Sequence, residues 1–322
     1  MPYFCYICGE ELTEKNKTEE HIILNALGGR LKSDKIICKT CNSKLGEKSD
    51  AKLAEDLSFF SDMLEIKRQR KGSGKPHSQI MTDKDNQEVI VEKAGEKLNL
   101  RKPYHSLEEK DDQLILNITA RNQGELKGIL NKYINDGVLT KEHVQEILQK
   151  AKISEHYSPL HKSVYISQEA FPSIIKSAVN FYVDQTGDID RIKHLVPVIT
   201  GEEPSKNHIH LYLMEKLPYP ANPDAPTHMI HIQGSKQTGL LYALMEYFSL
   251  YTYLVILDPN YEGPDIKLNY TYDCINCREL NRDFNLPLSF SDIEAYWKSF
   301  SENSSGIFKQ MEKRGQDALL PW

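Results

Sequence analysis

Two C-x-x-C pairs constrain the first fifty residues more than any other feature of the chain. Cys5 and Cys8 form the first pair, Cys38 and Cys41 form the second, and twenty-nine residues separate them. Four thiols in two such pairs are typical of a tetrahedral zinc site. A segment this small buries too little apolar surface to fold alone, so a bound metal is expected to stabilise it. We therefore predict that the four sulfurs hold a structural Zn²⁺ ion.

Length and charge bound the rest of the protein. The chain has 322 residues and a formal net charge of -6, which allows two domains or one large domain with a small appendage. An acidic total does not favour broad nucleic-acid binding, although a local basic patch can still bind a phosphate backbone. No apolar signal-peptide core follows Met1, and paired thiols without one favour metal binding in a reducing cytoplasm over disulfides. A cytoplasmic protein is the resulting prediction.

The most apolar stretch of the chain is the window Gly239–Leu257. It contains Glu246 and four tyrosines. Two buried strands, or a strand and a helix, are therefore expected here rather than a membrane span. No membrane partner is predicted.

An acid and an imidazole stand together between the two cysteine pairs. Glu20 and His21 open an apolar run, and successive side chains of a strand leave the backbone on opposite sides. Glu20 could then hold a cation on one side of a phosphate while His21 addresses water from the other side. Asn42 directly follows the zinc ligand Cys41, and one carboxylate with one amide oxygen suits a hard Mg²⁺ ion. Taken alone, such a pair is a weak signal, because a single histidine is more often structural than catalytic.

The order of these residues resembles the HNH endonuclease family, which has the ββα-metal fold. The resemblance is to the branch with a Glu-His-Ile start and zinc-binding cysteines, and it covers about one sixth of the chain. The matching residues are Cys5-x-x-Cys8, Glu20-His21-Ile22-Ile23, Leu27-Gly28-Gly29 and Cys38-x-x-Cys41-Asn42-x-x-Leu45-Gly46. The resemblance implies that His21 is the general base and that Glu20 and Asn42 hold a catalytic Mg²⁺ or Mn²⁺ ion. It also implies that the four cysteines are the structural zinc ligands.

One feature of the family pattern is missing. Many members carry an asparagine before the second cysteine pair, which fixes the loop that aims the histidine, whereas this chain has Lys32-Ser33-Asp34-Lys35. Ser33, Asp34 or Asn25 could take that part. We keep Asn25, four residues after His21, as a candidate catalytic residue.

Basic side chains near the motif are candidate phosphate contacts. Solvated surface charge explains each of them singly as well as nucleic-acid binding does. Those within the motif are Arg30, Lys32, Lys39 and Lys44, and those in the following basic segment are Lys67, Arg68, Arg70 and Lys71. That segment runs into Gly-Ser-Gly, so it is either a solvated linker or a phosphate-contacting arm.

The predicted fold class is α+β, with a small N-terminal zinc-bound ββα-metal (HNH) module followed by a larger mixed α+β domain. The predicted boundaries are 1–66 for the module, 67–77 for a basic linker and 78–322 for the larger domain. A helix is expected from Thr40, with Thr40 as its N-cap. Further strands are predicted at 87–91, 97–101, 113–119, 163–166, 208–214 and 228–232, and further helices at 125–134, 141–150, 174–183 and 291–300. The larger domain would serve target recognition, regulation or oligomerisation, among which the sequence does not choose.

A third pair, Cys274 and Cys277, has no further ligands at motif spacing. Two core thiols are favoured, because unbound cysteine packs as a small apolar side chain. A second metal site is the alternative. Its candidate partners are His208, His210, His228 and His231.

The predicted function is a metal-dependent HNH endonuclease that hydrolyses DNA phosphodiester bonds. A role in restriction or phage defence rests on the resemblance alone. One alternative is a zinc-finger-like nucleic-acid-binding protein that does not cleave, although binding alone needs none of Glu20, His21 and Asn42. The other alternative is an RNA-directed or nicking nuclease. A homo-oligomer is also compatible with the sequence.

Overall fold

The chain forms two compact units in the computed structural model. The first unit comprises Met1–Ser73 and Val164–Trp322, and the second comprises Gly74–Ser163. The structure describes residues 2–69, 78–92, 95–110, 113–150, 159–212, 218–219, 225–300, 302, 306 and 309.

The strands form antiparallel sheets. The strands are β1 Glu20–His21, β2 Lys32–Ser33, β3 Gln79–Thr82, β4 Glu88–Glu92, β5 Lys97–Leu100, β6 Tyr104–Lys110, β7 Gln113–Thr119, β8 Ile209–Leu211, β9 Thr227–Ser235, β10 Leu240–Tyr247, β11 Tyr251–Asp258, β12 Ile266–Asp273 and β13 Arg278–Glu279. A six-stranded sheet has the order β13-β12-β9-β10-β11-β8, and a three-stranded sheet has the order β3-β4-β5. The strands β1 and β2 form one two-stranded pair, and β6 and β7 form another.

The helices are short in the N-terminal module and longer elsewhere. A π-helical segment, Gly46–Asp50, joins the first two α-helices given below. Short 3₁₀ helices occur at Asn25–Leu27, Gln168–Ala170, Asp190–Leu195 and Ser205–Asn207. The α-helices are α1 Lys39–Leu45, α2 Ala51–Asp56, α3 Ser58–Met63, α4 Gln123–Asn135, α5 Lys141–Lys150, α6 Phe171–Thr186, α7 Val196–Thr200 and α8 over 290–300.

Several predicted elements are confirmed and one is wrong. The apolar window forms two buried strands, β10 and β11, as its interrupted pattern predicted. None of the helices in the described parts of the chain combines the length and hydropathy that crossing a membrane requires. The strand predicted at 163–166 is wrong: this stretch is irregular, and the carbonyl of Val164 accepts a hydrogen bond from the Tyr251 hydroxyl at 2.7 Å.

Helix α6 is the centre of the first unit. Eleven consecutive residues, Ser173–Val183, are buried. One side of the helix packs on the six-stranded sheet, where the Phe171 ring lies 5.6 Å from the Tyr253 ring. A helix buried on all sides needs apolar residues around its whole circumference, or polar residues with partners. Three of its polar residues, Ser173, Lys176 and Asn180, contact the N-terminal module.

The N-terminal module is continuous with this unit. The Tyr6 hydroxyl donates to Asn180 Oδ1 of α6 at 2.8 Å. His228 of β9 bonds the carbonyl oxygen of Leu27 at 2.8 Å through Nε2. These contacts group residues 1–73 with the C-terminal part, whereas the predicted linker at 67–77 would separate them. Whether residues 1–66 and 78–322 fold as separate domains stays a prediction.

Helix α1 begins one residue earlier than predicted. Its N-cap is Cys38, not Thr40, and the Cys38 sulfur accepts from the Cys41 amide at 3.4 Å. A sulfur in the N-cap position takes the place of the usual hydroxyl or carboxylate oxygen. The capping therefore orients two of the four predicted zinc ligands.

The Gly-Gly turn after β1 is required by close packing. Gly28 has a φ of 93°, in the left-handed region that favours glycine. A Cβ atom on Gly29 would lie 1.9 Å from the Ile23 carbonyl oxygen, which is too close for any side chain. The turn can therefore hold its position over Ile23 only with glycine.

We expect Gly29→Ala to lower the free energy of unfolding by roughly 3 kcal/mol, because backbone must move to accept the methyl group. Thermal or urea unfolding would measure the loss. Gly46→Ala is the matched control: Gly46 has helical φ and ψ angles, and a Cβ there meets nothing within 4 Å. Equal stability of the two variants would contradict the prediction.

The second unit contains the three-stranded sheet, the β6-β7 hairpin and helices α4 and α5. His105 on the hairpin hydrogen-bonds the Tyr133 hydroxyl of α4 at 2.8 Å through Nδ1. Asn122 caps α4 by accepting from the Glu125 amide at 3.0 Å. The candidate functional residues with described positions all lie in the first unit.

Candidate functional site

The four cysteines of the N-terminal module form one cluster. The Sγ atoms of Cys5, Cys8, Cys38 and Cys41 all lie within 4.8 Å of one another. The Cys8 and Cys38 sulfurs are 3.9 Å apart. Tetrahedral zinc with Zn–S bonds of ~2.3 Å places its sulfurs about 3.8 Å apart. The spacing therefore fits a structural zinc ion, as the sequence predicted.

The surroundings of the thiols also favour a cation. Burial raises the pKa of Cys5 and of Cys41. Buried thiolates without a counter-charge are costly, whereas a bound zinc ion deprotonates its thiol ligands outright. A bound zinc ion would therefore stabilise this quartet, in which Cys5 and Cys38 are buried.

Glu20 and His21 lie on opposite sides of β1, as the strand pattern predicted. His21 is partly exposed, while the Glu20 side faces the protein interior with 6% of the residue exposed. The short strand is held against β2 by the pairs Glu20 with Ser33 and His21 with Lys32. The carboxylate and the imidazole therefore do not face one shared open cleft.

The interior partner of Glu20 is a lysine from α6. Lys176 is 0% exposed, and its Nζ lies 2.6 Å from Glu20 Oε1 and 2.5 Å from Asp50 Oδ2. Burial by itself lowers the pKa of Lys176, but the two carboxylates outweigh burial and raise it. Burial raises the pKa of Glu20, which Lys176 opposes. The result is a buried cluster of one ammonium between two carboxyl groups.

Neighbours on α6 complete the cluster. Ser173 Oγ donates to Asp50 Oδ1 at 2.6 Å, and Asn180 Nδ2 donates to Glu20 Oε1 at 3.4 Å. Ser173, Lys176 and Asn180 recur at helical spacing, so they form one polar stripe on α6. Sequence reasoning missed this stripe. A lysine inside an otherwise apolar helical run was the signal that could have found it.

Asn42 lies near the same carboxylate. Its side chain helps to lower the pKa of the Glu20 carboxyl, so the structure places the two predicted ligands of the catalytic Mg²⁺ or Mn²⁺ ion close together. One oxygen of that carboxylate, Oε1, is already paired with the Lys176 ammonium. Glu20 and Asn42 therefore do not fit a divalent ion while the Lys176 ammonium stays in place. The ligand assignment itself stays a prediction.

His21 is held from the outer side by a residue that sequence reasoning missed. Its Nε2 lies 3.1 Å from Gln69 Oε1. With Gln69 Oε1 as the acceptor, Nε2 would carry the ring proton and Nδ1 would be the basic nitrogen. Asn25 Oδ1 accepts from the Gln69 backbone amide at 2.9 Å. Asn25 thus acts on His21 through Gln69 and not directly.

The candidate phosphate contacts divide into engaged and exposed side chains. Arg30 donates to the Lys67 carbonyl at 2.5 Å, and Lys32 pairs with Glu19 at 3.2 Å. Arg68 pairs with the buried Asp62 at 3.5 Å. The remaining described candidates, Lys39, Lys44 and Lys67, are exposed. Arg70 and Lys71 lie outside the described residues.

The third cysteine pair is not part of a metal cluster in the described part of the chain. The cysteine quartet is the group found there that could hold a metal ion, and it does not include Cys274 or Cys277. Burial lowers the pKa of His228 to about 4, so this ring is neutral at pH 7 and serves as a bonded core residue. His231 bonds Asn269 Oδ1 at 2.6 Å, and His210 packs on Trp297. His208 lies beside His194, with ring centroids 6.3 Å apart.

Comparison with known proteins agrees with the geometry of the N-terminal module. Residues 5–58 match the family model of the HNH endonucleases, so the module is an HNH-family region. No curated protein and no solved structure matches the chain. The resemblance inferred from the motif is confirmed for this segment.

Proposed function

We propose that the HNH-family module of this protein hydrolyses phosphodiester bonds of DNA, with His21 as the general base. The observation that carries the proposal is the position of His21. It lies on the outward side of β1, in the family-matched segment that also contains the zinc-fitting cysteines. A general base needs this access to a water molecule next to the substrate.

The mechanism assigns one proton transfer to this side chain. Nδ1 of His21 takes a proton from water as the water oxygen attacks the phosphorus atom. The P–O bond to the 3′ oxygen of the sugar breaks, and that leaving oxygen takes up a proton from solvent. Gln69 holds the ring through Nε2 and keeps the basic nitrogen at Nδ1. The exposed Lys39 and Lys44 are proposed to hold flanking phosphates. No step runs through Mg²⁺ or Mn²⁺ on Glu20 and Asn42, because Lys176 already occupies the Glu20 carboxylate.

A cleavage assay tests the proposal and its alternatives. Purified protein would be incubated with supercoiled plasmid, single-stranded DNA and RNA, each with Mg²⁺ or with EDTA. The proposal expects linear plasmid. Cleavage of RNA alone would favour the RNA-directed alternative, and accumulation of nicked circles would favour the nicking enzyme. Binding in a gel-shift assay without cleavage would overturn the proposal in favour of a non-cleaving binding protein.

The proposed role in restriction or phage defence would be tested separately, by phage plating on cells with and without the protein.

Gln69→Ala is expected to lower the cleavage rate about 2- to 10-fold, the equivalent of one hydrogen bond of ~1 kcal/mol. The loss comes from an imidazole that no longer has a fixed ring orientation. The rate should be measured under single-turnover conditions. Asn25→Ala should lower it in the same direction, and the double variant should add little, because both act through Gln69. Additive losses would mean that Asn25 acts independently of Gln69.

A further inference from the structure

The cation beside Glu20 comes from outside the family-matched segment. Glu20 lies in residues 5–58, whereas Lys176 lies in the middle of α6, more than a hundred residues further along. The ammonium contacts Glu20 and Asp50, two carboxylates of the N-terminal module, at 2.6 and 2.5 Å. A buried ammonium is stable only with such partners, and the partners need it equally. The three groups therefore form one interdependent unit.

Lys176 is fixed in this position. It is 0% exposed and lies within eleven consecutive buried residues of α6. Ser173 and Asn180 occupy further positions on the same carboxylates, at 2.6 Å from Asp50 and 3.4 Å from Glu20. Moving the ammonium away would leave two buried carboxylates with these neutral donors only.

A divalent ion on Glu20 would stand next to the Lys176 ammonium. Two like charges within a few ångströms in the interior repel strongly, because the low local dielectric screens them little. Asn42, the other predicted ligand, offers a neutral amide oxygen and so adds no negative charge to offset that repulsion. The expected ion would therefore have to displace Lys176 from the core.

We propose that Lys176 is the resident cation of the Glu20 carboxylate, in the place where the HNH resemblance puts a divalent metal ion. Lys176 is a positioning residue. By holding Glu20 inward, it fixes β1 so that His21, the next residue, faces outward. The nuclease centre is thus assembled from the HNH-family module and from α6. The role of Lys176 in orienting His21 rests on the proposed function. The identity of Lys176 as the cation beside Glu20 does not.

Manganese binding tests the proposal without any nucleic acid. Zinc-loaded full-length protein would be titrated with Mn²⁺, and bound ion counted by electron paramagnetic resonance. The wild-type protein and Glu20→Gln are expected to bind the same number of Mn²⁺ ions. A wild-type ion that Glu20→Gln loses would overturn the proposal, because Glu20 would then ligate metal with Lys176 present. This comparison is decisive even where lysine variants fail to fold.

Removing the lysine should create the metal site. Lys176→Met is expected to gain about one bound Mn²⁺, and Glu20→Gln/Lys176→Met to lose that ion again. Lys193→Met is the matched control, since Lys193 is exposed and pairs only with Asp190 in the described structure. A folded Lys176→Met protein that binds no more Mn²⁺ than wild type would overturn the proposal.

Thermal melting gives a second readout. Lys176→Met should melt below wild type, and Mn²⁺ should raise its melting temperature but not that of wild type or Lys193→Met. Lys176→Arg should restore part of the stability without Mn²⁺, because it keeps the charge. A purely space-filling role would predict no response of Lys176→Met to Mn²⁺. Absence of cleavage by the wild-type protein would overturn the proposed function and leave these binding results unaffected.

Discussion

Replacing His21 by alanine is expected to reduce phosphodiester cleavage by ~10²- to 10⁴-fold, the range for loss of a general base. The fold should survive, because His21 is partly exposed and its described partner, Gln69, is itself exposed. Single-turnover cleavage of supercoiled plasmid would give the rate. Zinc content and the melting temperature should match those of the wild-type protein.

His194→Ala is the control for this prediction. His194 is an exposed histidine of the same unit, and it lies outside the HNH-family region. The His194→Ala variant should cleave at the wild-type rate. If His21→Ala, purified identically, does not, a contaminating nuclease is excluded as the source of the cleavage. If His21→Ala cleaves as fast as His194→Ala, His21 is not the base. Loss of zinc from His21→Ala would instead make the residue structural.

The second large effect is expected from the zinc site. Cys38→Ser should lose the metal and unfold the N-terminal module, because structural zinc contributes an apparent ~10–16 kcal/mol of binding free energy to small zinc-bound folds. Regular secondary structure within the module contributes little stability, because its β1 and β2 strands have two residues each. Elemental analysis should find about one zinc per wild-type chain and markedly less in the variant. Hydrogen exchange should show lost protection in residues 5–58.

Cys277→Ser separates a metal-specific effect from a general effect of replacing a thiol. Cys277 is partly buried and belongs to no metal-binding group among the described residues. It should keep its zinc and its protection from exchange. Two zinc ions per wild-type chain, with one lost in Cys277→Ser, would support the alternative of a second metal site at the third cysteine pair. Equal zinc in Cys38→Ser and wild type would refute the assignment of the quartet.

The position of Lys176 changes how the HNH-family module is understood. Family resemblance covers residues 5–58, yet the charge that stabilises Glu20 is supplied by α6. The sheet supplies further support, through the His228 bond to Leu27 and the packing of Phe248 on Phe60, whose rings are 5.5 Å apart. A variant shortened to the family-matched segment would lose these contacts. The C-terminal part of the first unit is therefore structural support for the site.

The sequence by itself determined the features that depend on short spacing. Two residues between paired cysteines set the geometry of a metal knuckle, so the zinc quartet was predictable and its clustering is confirmed. Alternation along β1 likewise predicted that Glu20 and His21 point apart. For the apolar window, the sequence favoured either two buried strands or a strand and a helix, and the structure has the two strands β10 and β11.

Only the tertiary structure decided what each of these side chains meets. Strand alternation could not say that the side of Glu20 is the interior, because Lys176 is 156 residues away in sequence. Gln69 reaches His21 across 48 residues, in a segment that reads as a basic linker. Partners so distant are brought together by packing, and packing depends on the burial of whole helices and sheets instead of on local spacing. The thiol cluster could therefore be predicted from the sequence. The Lys176 ammonium beside the Glu20 carboxylate could not.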